Sequence, residues 1–352
     1  MSTQEIFKPK KALKLESGKS FKNLEIAYQT FGKLNSDKSN VIWVCHALTA
    51  NTNVLEWWKG LFGENELFNP KEHFIICANV LSSCYGSSSP LHTNPVHGNP
   101  YYMAFPQVTI RDIVSAHQLL AKELGIHQIQ VLIGGSLGGQ QALEWSIIEP
   151  KLIKNLIILA TNANHSPFGI AFNESQRLAI SADRTFYADK ADGGIKGLKV
   201  ARSIALLSYR TYEAYNTTHT ESVEDKTDNF RAASYQNYQG EKLCNRFTAY
   251  SYWYLTKAMD SHNVARGRKS KEHALQCIKA NTLVIGIESD CLFPISEQKY
   301  LASHIQDASL VSILSTYGHD GFLIETQQLT HHISDFLKRT ANKNIISLNK
   351  TA

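Results

Sequence analysis

The stretch VLIGGSLGGQQALEW, Val131 to Trp145, begins with aliphatic residues, changes abruptly to GGSLGG and continues as QQALEW, which is typical of a helix. A GxSxG segment between a buried strand and a helix is the context of a nucleophile elbow. Gly134 and Gly138 then leave room where side chains would collide, and Ser136 is held exposed above the sheet. A glycine-rich turn without a catalytic role could have the same sequence. The context favours Ser136 as a nucleophile, with the N–H of Leu137 as one oxyanion donor.

Apolar runs of strand length recur along the chain. They are continuous rather than alternating, as in strands that are buried on both faces of a parallel sheet. The runs span residues 41–47, 74–80, 129–134, 155–160, 282–287 and 310–314. Helical patterns lie between them, for example over 109–126, where Gly125 is a stop signal. This alternation predicts an α/β fold with a mostly parallel, doubly wound sheet.

The alternation fails between about His165 and Lys271. Long helical patterns occupy that part of the chain, notably over 197–215 and 245–260, and no convincing strand interrupts them. We therefore expect a core formed by residues 1–164 and 272–352, with a helical lid inserted at 165–271. The last helix of the fold is expected to end near Thr340.

Composition excludes several classes of protein. The net charge of +5 is mild, and the densest basic run, ARGRKSK at 265–271, fits a solvated loop better than a polyanion site. No nucleic-acid-binding signature accompanies it, no apolar run approaches the ~18 residues of a membrane span, and the lysine-rich start does not resemble a signal peptide. Six cysteines without a CxxC pair predict buried free thiols in a cytoplasmic protein.

A serine nucleophile needs a base, and the base needs a carboxylate to orient it. In the α/β-hydrolase fold these follow in the chain order Ser, Asp or Glu, His. Asp290 comes just after the apolar run 282–287, and His319 follows the run 310–314. Both belong to the carboxyl edge of the predicted sheet, where Ser136 also emerges. Glu288 competes with Asp290, which is favoured because it lies further out in the loop.

The second oxyanion donor is expected in the loop after an early strand. The run VIWVCHA ends near His46, and Leu48 sits where the chain turns away. The N–H of Leu48 is therefore the second candidate donor. We expect His46 to be a hydrogen-bonding residue of this loop rather than a base.

Several segments resemble the homoserine O-acyltransferase family. They correspond, in order, to the family patterns HALTG, GCYGSTGP, NPxTGxPYGxxFP, TIRDxV, GGSxGGMQ, SDxLFP and GHDxFL. The segments are HALTANTNVLEWWKGL (46–61), NVLSSCYGSSSPLHTNPVHGNPYYMAFPQVTIRDIV (79–114), GGSLGGQQALEW (134–145), SDCLFP (289–294) and YGHDGFLIE (317–325). The likeness extends from about residue 8 to about 340 and includes the helical insertion.

The resemblance implies an α/β-hydrolase fold and an enzyme of methionine biosynthesis. Such an enzyme transfers the acetyl group of acetyl-CoA to the hydroxyl of L-homoserine by a ping-pong mechanism through an acyl-serine. It implies no metal and no permanently bound cofactor, acetyl-CoA being a co-substrate. It also implies a homodimer built through the helical insertion. The residues that contact CoA stay unassigned.

The resemblance also implies an acceptor site. Arg202 corresponds to the arginine that grips the carboxylate of homoserine, for which a guanidinium offers two parallel N–H bonds. Asp320, beside the candidate base, corresponds to the acid that binds the ammonium group. Tyr209 lies seven residues after Arg202, about two helical turns, and therefore shares its face. It is expected to position the acyl-serine or the acceptor, although an aromatic residue there also suits a core.

The chain departs from the family pattern at a few positions. Ala50 replaces the glycine of HALTG, Gln140 stands where methionine is common, and four serines alter the GGCYGSTGP-like segment, at Ser82, Ser83, Ser88 and Ser89. If these residues line the acyl site, the accepted acyl group stays open. The alternatives are a succinyl-CoA-dependent or L-serine-accepting transferase, an esterase or thioesterase, and a binding module without chemistry. An intact Ser–Asp–His set argues against the last.

Overall fold

A computed structural model describes residues 3–351 of the chain, whose main feature is a large twisted sheet. The described strands are β1 (Glu5–Phe7), β2 (Leu13–Lys14), β3 (Ser20–Phe21), β4 (Ile26–Phe31), β5 (Val41–Cys45), β6 (Phe74–Ala78), β7 (Ile129–Gly135), β8 (Ile153–Leu159), β9 (Asn281–Ile287) and β10 (Ala308–Ile313). Eight of them form one sheet in the spatial order β1-β4-β6-β5-β7-β8-β9-β10, and β2 pairs with β3 separately.

The six apolar runs all form strands, β5 to β10, and each of these strands pairs in parallel with its neighbours in that group. The prediction of a mostly parallel α/β sheet is confirmed. The antiparallel edge made by β1 and β4 was not predicted. β4 reads IAYQTF, in which glutamine and threonine interrupt the apolar run that marks the other strands.

Helices cover the sheet and connect its strands. They are α1 (Val54–Trp57), α2 (Ile110–Glu123), α3 (Leu137–Ile148), α4 (Pro167–Ala182), α5 (Ile195–Tyr209), α6 (Tyr212–His219), α7 (Arg231–Cys244), α8 (Ala249–Asp260), α9 (Lys271–Gln276), α10 (Ile295–His304), α11 (Gly321–Ile324) and α12 (Thr326–Thr351). The predicted helix over 109–126 is α2. Thr109 and Asp112 cap its start reciprocally, and Gly125 follows its end with a φ of 63°.

Helices α4 to α9 lie between β8 and β9 in the chain, and these two strands are neighbours in the sheet. The segment therefore leaves the sheet and returns to it at one place. The single long helix expected over 197–215 was wrong, because α5 ends at Tyr209. Arg210 is extended (φ −121°, ψ 152°), and Thr211 starts α6 by accepting a hydrogen bond from the N–H of Ala214 at 3.1 Å.

Two other helix boundaries differ from expectation. The helix expected over 245–260 begins only at Ala249, because Thr248 caps it and accepts a hydrogen bond from the N–H of Ser251. The last helix does not end near Thr340 but continues to Thr351. The residues after Thr340 contain no glycine or proline to stop it.

The basic run at 265–271 forms ion pairs with distant parts of the chain, which the prediction of a solvated loop missed. Arg266 contacts Glu16 at 2.6 Å, and Arg268 contacts Glu144 of α3 at 2.8 Å. Glu144 is buried and is also bound by Arg111 at 3.1 Å. A buried carboxylate needs such partners, so these arginines tie the loop to α3 and α2.

The six cysteines are all free thiols, as expected, but the prediction that they are buried holds fully only for Cys45 and Cys77. Cys291 is exposed because it lies in the loop after β9 rather than in a strand. Among the helices in the described residues, none has the length and apolarity needed to cross a bilayer.

Four buried histidines are held neutral by the fold. Burial lowers the pKa of His117 from 6.5 to about 3 and that of His262 to about 3. It lowers the pKa of His46 and of His165 to about 4. His117 lies between the rings of Trp43 and Trp145, at centroid distances of 6.0 and 6.2 Å. The unfolded chain therefore binds protons at these histidines at a pH where the folded chain does not.

We expect this difference to make the protein acid-labile. A depressed folded-state pKa stabilises the fold fully above pH 6.5, and the contribution is lost as the pH falls from 6.5 towards the folded value. Each such histidine adds about 1.4 kcal/mol per pH unit to the slope of unfolding free energy against pH. In the variant His117→Leu the slope between pH 6.5 and 4 should fall by about that amount. Urea unfolding across this range measures it, and parallel curves for variant and wild type would contradict the assignment.

Candidate active site

Ser136 occupies a sharp turn between β7 and α3. Its backbone has φ 56° and ψ −123°, a conformation that L residues rarely adopt. A Cβ atom at position 134 would lie 2.4 Å from the carbonyl carbon of Gly138, and one at position 138 would lie 2.0 Å from the carbonyl oxygen of Cys45. Glycine is therefore required at both positions, and the chain reverses directly at the serine.

Hydrogen bonds from neighbouring strands and loops hold this turn. The N–H of Ser136 donates to the carbonyl of Leu159 at 3.0 Å. Its own carbonyl accepts from the hydroxyl of Thr161 at 3.0 Å and from the N–H of Gln140 at 3.1 Å. The strained backbone is thus held by β8 and the loop after it. Ser136 lines the main pocket but is only 6% exposed, so the expectation of an exposed serine was wrong, because the walls of the pocket cover it.

Asp290 and His319 meet beside that pocket. The Nδ1 atom of His319 lies 2.6 Å from Oδ2 of Asp290, and both residues are only 3% exposed. The other carboxylate oxygen, Oδ1, accepts the N–H groups of Leu292 and Phe293, each at 2.8 Å. Bonding at Nδ1 leaves Nε2 as the ring nitrogen available for proton transfer, and His319 lines the same pocket as Ser136.

Glu288, the competing acid, lies elsewhere. Its side chain is exposed, and its carboxylate accepts a hydrogen bond from the hydroxyl of Ser312. It faces a separate surface depression and does not line the main pocket. Glu288 and Asp290 are only two positions apart in the chain, yet Glu288 lies at the surface and Asp290 contacts His319.

The imidazole of His319 is fixed by aromatic neighbours. Phe293 stacks on it at a centroid distance of 4.9 Å, and Phe322 meets it edge-on at 5.3 Å. The preceding Gly318 has a φ of 58°, and a Cβ there would lie 3.0 Å from the carbonyl oxygen of Tyr209. The histidine loop therefore packs closely against the end of α5.

The two predicted oxyanion donors lie near Ser136. Leu137 is the first residue of α3, so its N–H has no acceptor within the helix. Leu48 lines the main pocket and also a smaller cavity that reaches Ser136. His46 is buried, and its Nε2 accepts the N–H of Val80 at 3.0 Å. With its pKa lowered to about 4 by burial, His46 is neutral near neutral pH and serves the loop by hydrogen bonding.

Arg202, Tyr209 and Asp320 all line the main pocket. Arg202 and Tyr209 both belong to α5, and the guanidinium carbon of Arg202 lies 5.6 Å from the centre of the Tyr209 ring. The shared face expected from their spacing is therefore present. Asp320 comes from the other side, in the turn that contains His319.

Arg210 is a site residue that the sequence analysis missed. Its Nε atom lies 3.2 Å from Oδ2 of Asp320, and its guanidinium carbon lies 5.5 Å from the centre of the Tyr317 ring. The chain breaks its helix at this residue, which turns the side chain towards the histidine loop. The only sequence signal was an arginine directly after Tyr209.

The positions that depart from the family pattern do not all surround the pocket. Ala50 lines it, whereas Ser89 lines a neighbouring pocket. Ser82, Ser83 and Ser88 are buried and line neither of them. Ser82 has a φ of 77°, which explains why glycine is common there in the family. Ser82, Ser83 and Ser88 therefore do not line the pocket that contains Ser136, and the hydroxyl of Ser88 instead accepts the N–H of Glu25, just before β4, at 2.9 Å.

The main pocket carries charges of both signs. Its basic residues are Arg202, Lys242 and Arg246, and its acidic residues are Glu56 and Asp320. Within the described residues, no three His, Cys, Asp or Glu side chains are grouped as ligands of a metal ion. The arrangement can form a covalent ester on a serine and hold a small acceptor that bears both charges.

Comparisons with known proteins give the fold and the relatives of this chain. Residues 40–326 match the family model described as alpha/beta hydrolase fold. The chain is 49% identical over 334 residues to a homoserine O-acetyltransferase of Cyclobacterium marinum, covering 95% of each chain. It is 41% identical to one of Chlorobaculum tepidum, covering 96% of this chain and 95% of the relative.

Solved structures show the same fold. A homoserine O-acetyltransferase from Bacillus anthracis superposes with a TM-score of 0.87 at 25% identity, covering 96% of this chain and 98% of that one. An esterase named E22 superposes with a TM-score of 0.86 at 22% identity, covering 96% of this chain and the whole of the other. At that identity the esterase indicates the fold alone, so the choice between transfer and hydrolysis depends on the site.

Proposed function

This chain belongs to the homoserine O-acetyltransferase family of the α/β-hydrolase fold, and from that premise we propose that it acetylates L-homoserine with acetyl-CoA. Acyl transfer to homoserine is a step of methionine biosynthesis. The observation that carries the proposal is one pocket lined by the candidate nucleophile Ser136, its base His319, and the opposite charges of Arg202 and Asp320. A hydrolase has no need of the second pair.

The first half-reaction forms an acyl-enzyme. Oγ of Ser136 attacks the thioester carbonyl carbon while Nε2 of His319 takes its proton, and Asp290 stabilises the imidazolium. The N–H groups of Leu48 and Leu137 bind the oxyanion of the tetrahedral intermediate. The carbon–sulfur bond then breaks, His319 returns the proton to sulfur, and CoA leaves as the free thiol.

The second half-reaction uses the same groups in reverse. His319 takes the proton of the homoserine hydroxyl, whose oxygen attacks the carbonyl of the acetyl ester on Ser136. Collapse of the second tetrahedral intermediate breaks the bond to Oγ, and His319 returns the proton to the serine. The products are O-acetyl-L-homoserine and the free enzyme, with no metal and no permanently bound cofactor.

Arg202 and Asp320 are proposed to orient the acceptor. The guanidinium binds the carboxylate, and Oδ1 of Asp320, the oxygen that Arg210 does not contact, binds the ammonium group. Tyr209 packs under Arg202 and beside His319, with ring centroids 5.8 Å apart in the latter pair. A zwitterion held at both ends would place its hydroxyl between His319 and the acyl-serine.

The variant Arg202→Ala is expected to lose the second half-reaction and keep the first. Truncating one member of a desolvated charged pair costs about 2–5 kcal/mol, or roughly 30- to several-thousand-fold in transfer to homoserine. Rapid-quench measurement of the acyl-Ser136 burst separates the two steps. Arg184→Ala is the matched control, since Arg184 is an exposed arginine of the helical segment that does not line the pocket. Equal loss of burst and turnover would instead assign Arg202 to structure or to CoA binding.

Acetyl is the proposed acyl group. The smaller cavity that reaches Ser136 is lined by Phe172, Met259 and Leu292 together with neutral polar groups. Within the described residues, no lysine or arginine lines this cavity, so a succinyl carboxylate placed there would lack a counter-charge. This favours acetyl-CoA over succinyl-CoA.

Thiol release from acetyl-CoA and succinyl-CoA, with homoserine, serine or water as acceptor, tests the proposal as a whole. Release that needs homoserine and prefers acetyl-CoA supports it. Release at the same rate without acceptor would identify an esterase or thioesterase, and preference for serine or for succinyl-CoA would identify a sister transferase.

Three features complete the proposal. Residues 165–271 act as a lid over a core of 1–164 and 272–352, which excludes water from the acyl-enzyme. Exposed apolar side chains on that lid support a homodimer, with an apparent mass in sedimentation near twice 39.4 kDa; they include Val200, Leu207, Tyr212 and Tyr238.

Six free thiols support a reducing, cytoplasmic location, without nucleic-acid or membrane partners.

A further inference from the structure

Two basic side chains of the main pocket have no role in the mechanism above. Lys242 belongs to the last turn of α7, and Arg246 follows that helix by two residues. Neither forms an ion pair with a carboxylate among the described residues. The carboxylate next to Lys242, on Glu241, is bound by Lys199 at 2.8 Å. Two positive charges that line the pocket therefore have no carboxylate partner among the described residues.

Arg246 is held in place without being neutralised. Its Nη1 atom donates to the carbonyl oxygen of Thr49 and to the hydroxyl of Tyr85, each at 2.6 Å. Both acceptors are uncharged, so the guanidinium keeps its full positive charge and several free N–H groups. An arginine that is oriented by neutral partners and exposed to a pocket is prepared to bind an anion.

The acidic residues of the pocket do not cancel these charges. Asp320 is already paired with Arg210 at 3.2 Å. Glu56 accepts a hydrogen bond from the side chain of Asn53, and its single negative charge faces the two positive charges of Lys242 and Arg246. With Arg202 reserved for the acceptor, the remaining lining charge is positive.

Arg246 is shared by two pockets. This side chain lines both the main pocket and a second, neighbouring one, whose walls include Leu91, His92, Phe247 and Thr248. A ligand that spans both pockets, with its reactive end at Ser136, would pass Arg246. Its charged part would lie at the junction.

We propose that Lys242 and Arg246 bind the phosphate groups of the acyl donor's nucleotide, and that the second pocket receives its adenosine part. The inference rests on the proposed function, because it assumes that the thioester is presented to Ser136. An acyl-CoA has its thioester at one end of a flexible neutral arm and its phosphates at the other. The main pocket likewise contains the nucleophile Ser136 together with Lys242 and Arg246, and Arg246 also lines the second pocket.

The test compares two donors that differ only in the nucleotide. Acetyl-CoA and S-acetylpantetheine carry the same thioester and arm, but the second has no phosphate. The measured quantity is kcat/KM for acylation of Ser136 by acetyl-CoA divided by kcat/KM for acylation by S-acetylpantetheine. Losing a charged phosphate contact should lower this ratio about tenfold for Arg246→Met, whose guanidinium can form two hydrogen bonds to a phosphate, and about threefold for Lys242→Met. Raising the ionic strength should lower it in the wild type.

Lys199→Met is the matched control, since it removes one positive charge from the same helical segment but from a residue outside the pocket. Its ratio should equal that of the wild type. Equal loss with both donors in Arg246→Met and an unchanged ratio in Lys242→Met would overturn the proposal and make Arg246 a support of the Thr49 loop. Failure of the wild type to be acylated by acetyl-CoA at all would instead overturn the proposed function. Acetyl-dephospho-CoA, which lacks only the 3′-phosphate, then shows which phosphate is bound. If the wild type uses it no better than S-acetylpantetheine, the two side chains bind the 3′-phosphate.

Discussion

Replacing Ser136 with alanine is expected to abolish acyl transfer while leaving the fold intact. Loss of a triad nucleophile costs roughly 10⁶-fold in kcat in analogous hydrolases, because the triad acts as a unit. Alanine finds the backbone at φ 56° as unfavourable as serine does, so the substitution leaves the strain of the turn unchanged. Mass analysis of the wild type after mixing with acetyl-CoA should show one acetyl adduct, which peptide mapping places on Ser136.

Ser208→Ala is the control for this experiment. Ser208 also lines the small cavity beside Ser136, but its hydroxyl donates to the carbonyl of Ala205 within α5. This variant should keep the adduct. An adduct on Cys84 would refute the assignment, as would one on Cys45. Burial raises the pKa of Cys84 to about 11 and that of Cys45 far above its ordinary value, so both thiols stay protonated and poorly nucleophilic.

The second large effect is expected for Asp290→Asn. Asparagine keeps the size of the side chain but removes the charge that stabilises the imidazolium and selects the tautomer of His319. In a serine protease the corresponding change lowers kcat by about 10⁴-fold. The N–H groups of Leu292 and Phe293 now bind Oδ1, and they can bind an amide oxygen as well, so the loop should persist. Steady-state turnover and the acylation burst should fall together, with urea unfolding little changed.

Glu288→Gln distinguishes the two candidate acids. Glu288 is exposed and bonded to Ser312, away from the pocket, so its amide variant should retain nearly full activity. A crippled Glu288→Gln beside a mild Asp290→Asn would mean that the orienting acid is Glu288. The loop after β9 would then have to rearrange in the working enzyme.

Local sequence was enough to predict the central sheet and its most important turn. The strands β5 to β10 are recognisable as continuous apolar runs, since both faces of these strands are buried and neither needs polar side chains. Gly134 and Gly138 mark the elbow because the close backbone approaches at 2.4 and 2.0 Å exclude any side chain. These are short-range steric facts, and they are visible in the letters.

The order of Ser136, Asp290 and His319 along the chain also followed from the predicted strands. Parallel strands end at one edge of the sheet, so residues just after them converge there. Position in the loop favoured Asp290 over Glu288, and of these two carboxylates it is that of Asp290 that contacts the imidazole, at 2.6 Å. The weaker predictions concerned edges and ends, namely the antiparallel strands β1 and β4 and the length of the last helix.

Tertiary structure alone decided how the helical segment completes the site. Arg210 and Asp320 are 110 residues apart in the chain, and no local pattern joins them. The break of the helix at Arg210 is not encoded by glycine or proline. Thr211 caps the next helix locally, but the ion pair of Arg210 with Asp320 exists only in the folded chain.

The same holds for charge. The letters ARGRKSK look like a free basic loop, yet Arg266 and Arg268 are bound by Glu16 and Glu144 from distant parts of the chain. Lys242 and Arg246 look no more basic than their neighbours, yet they face the pocket without a carboxylate partner among the described residues. The sequence by itself therefore predicted which residues are candidates to react, because reactivity follows from residue type and local backbone. Which charges are neutralised and which stay available to a ligand was decided by the fold, because ion pairing depends on distances that only the folded chain sets.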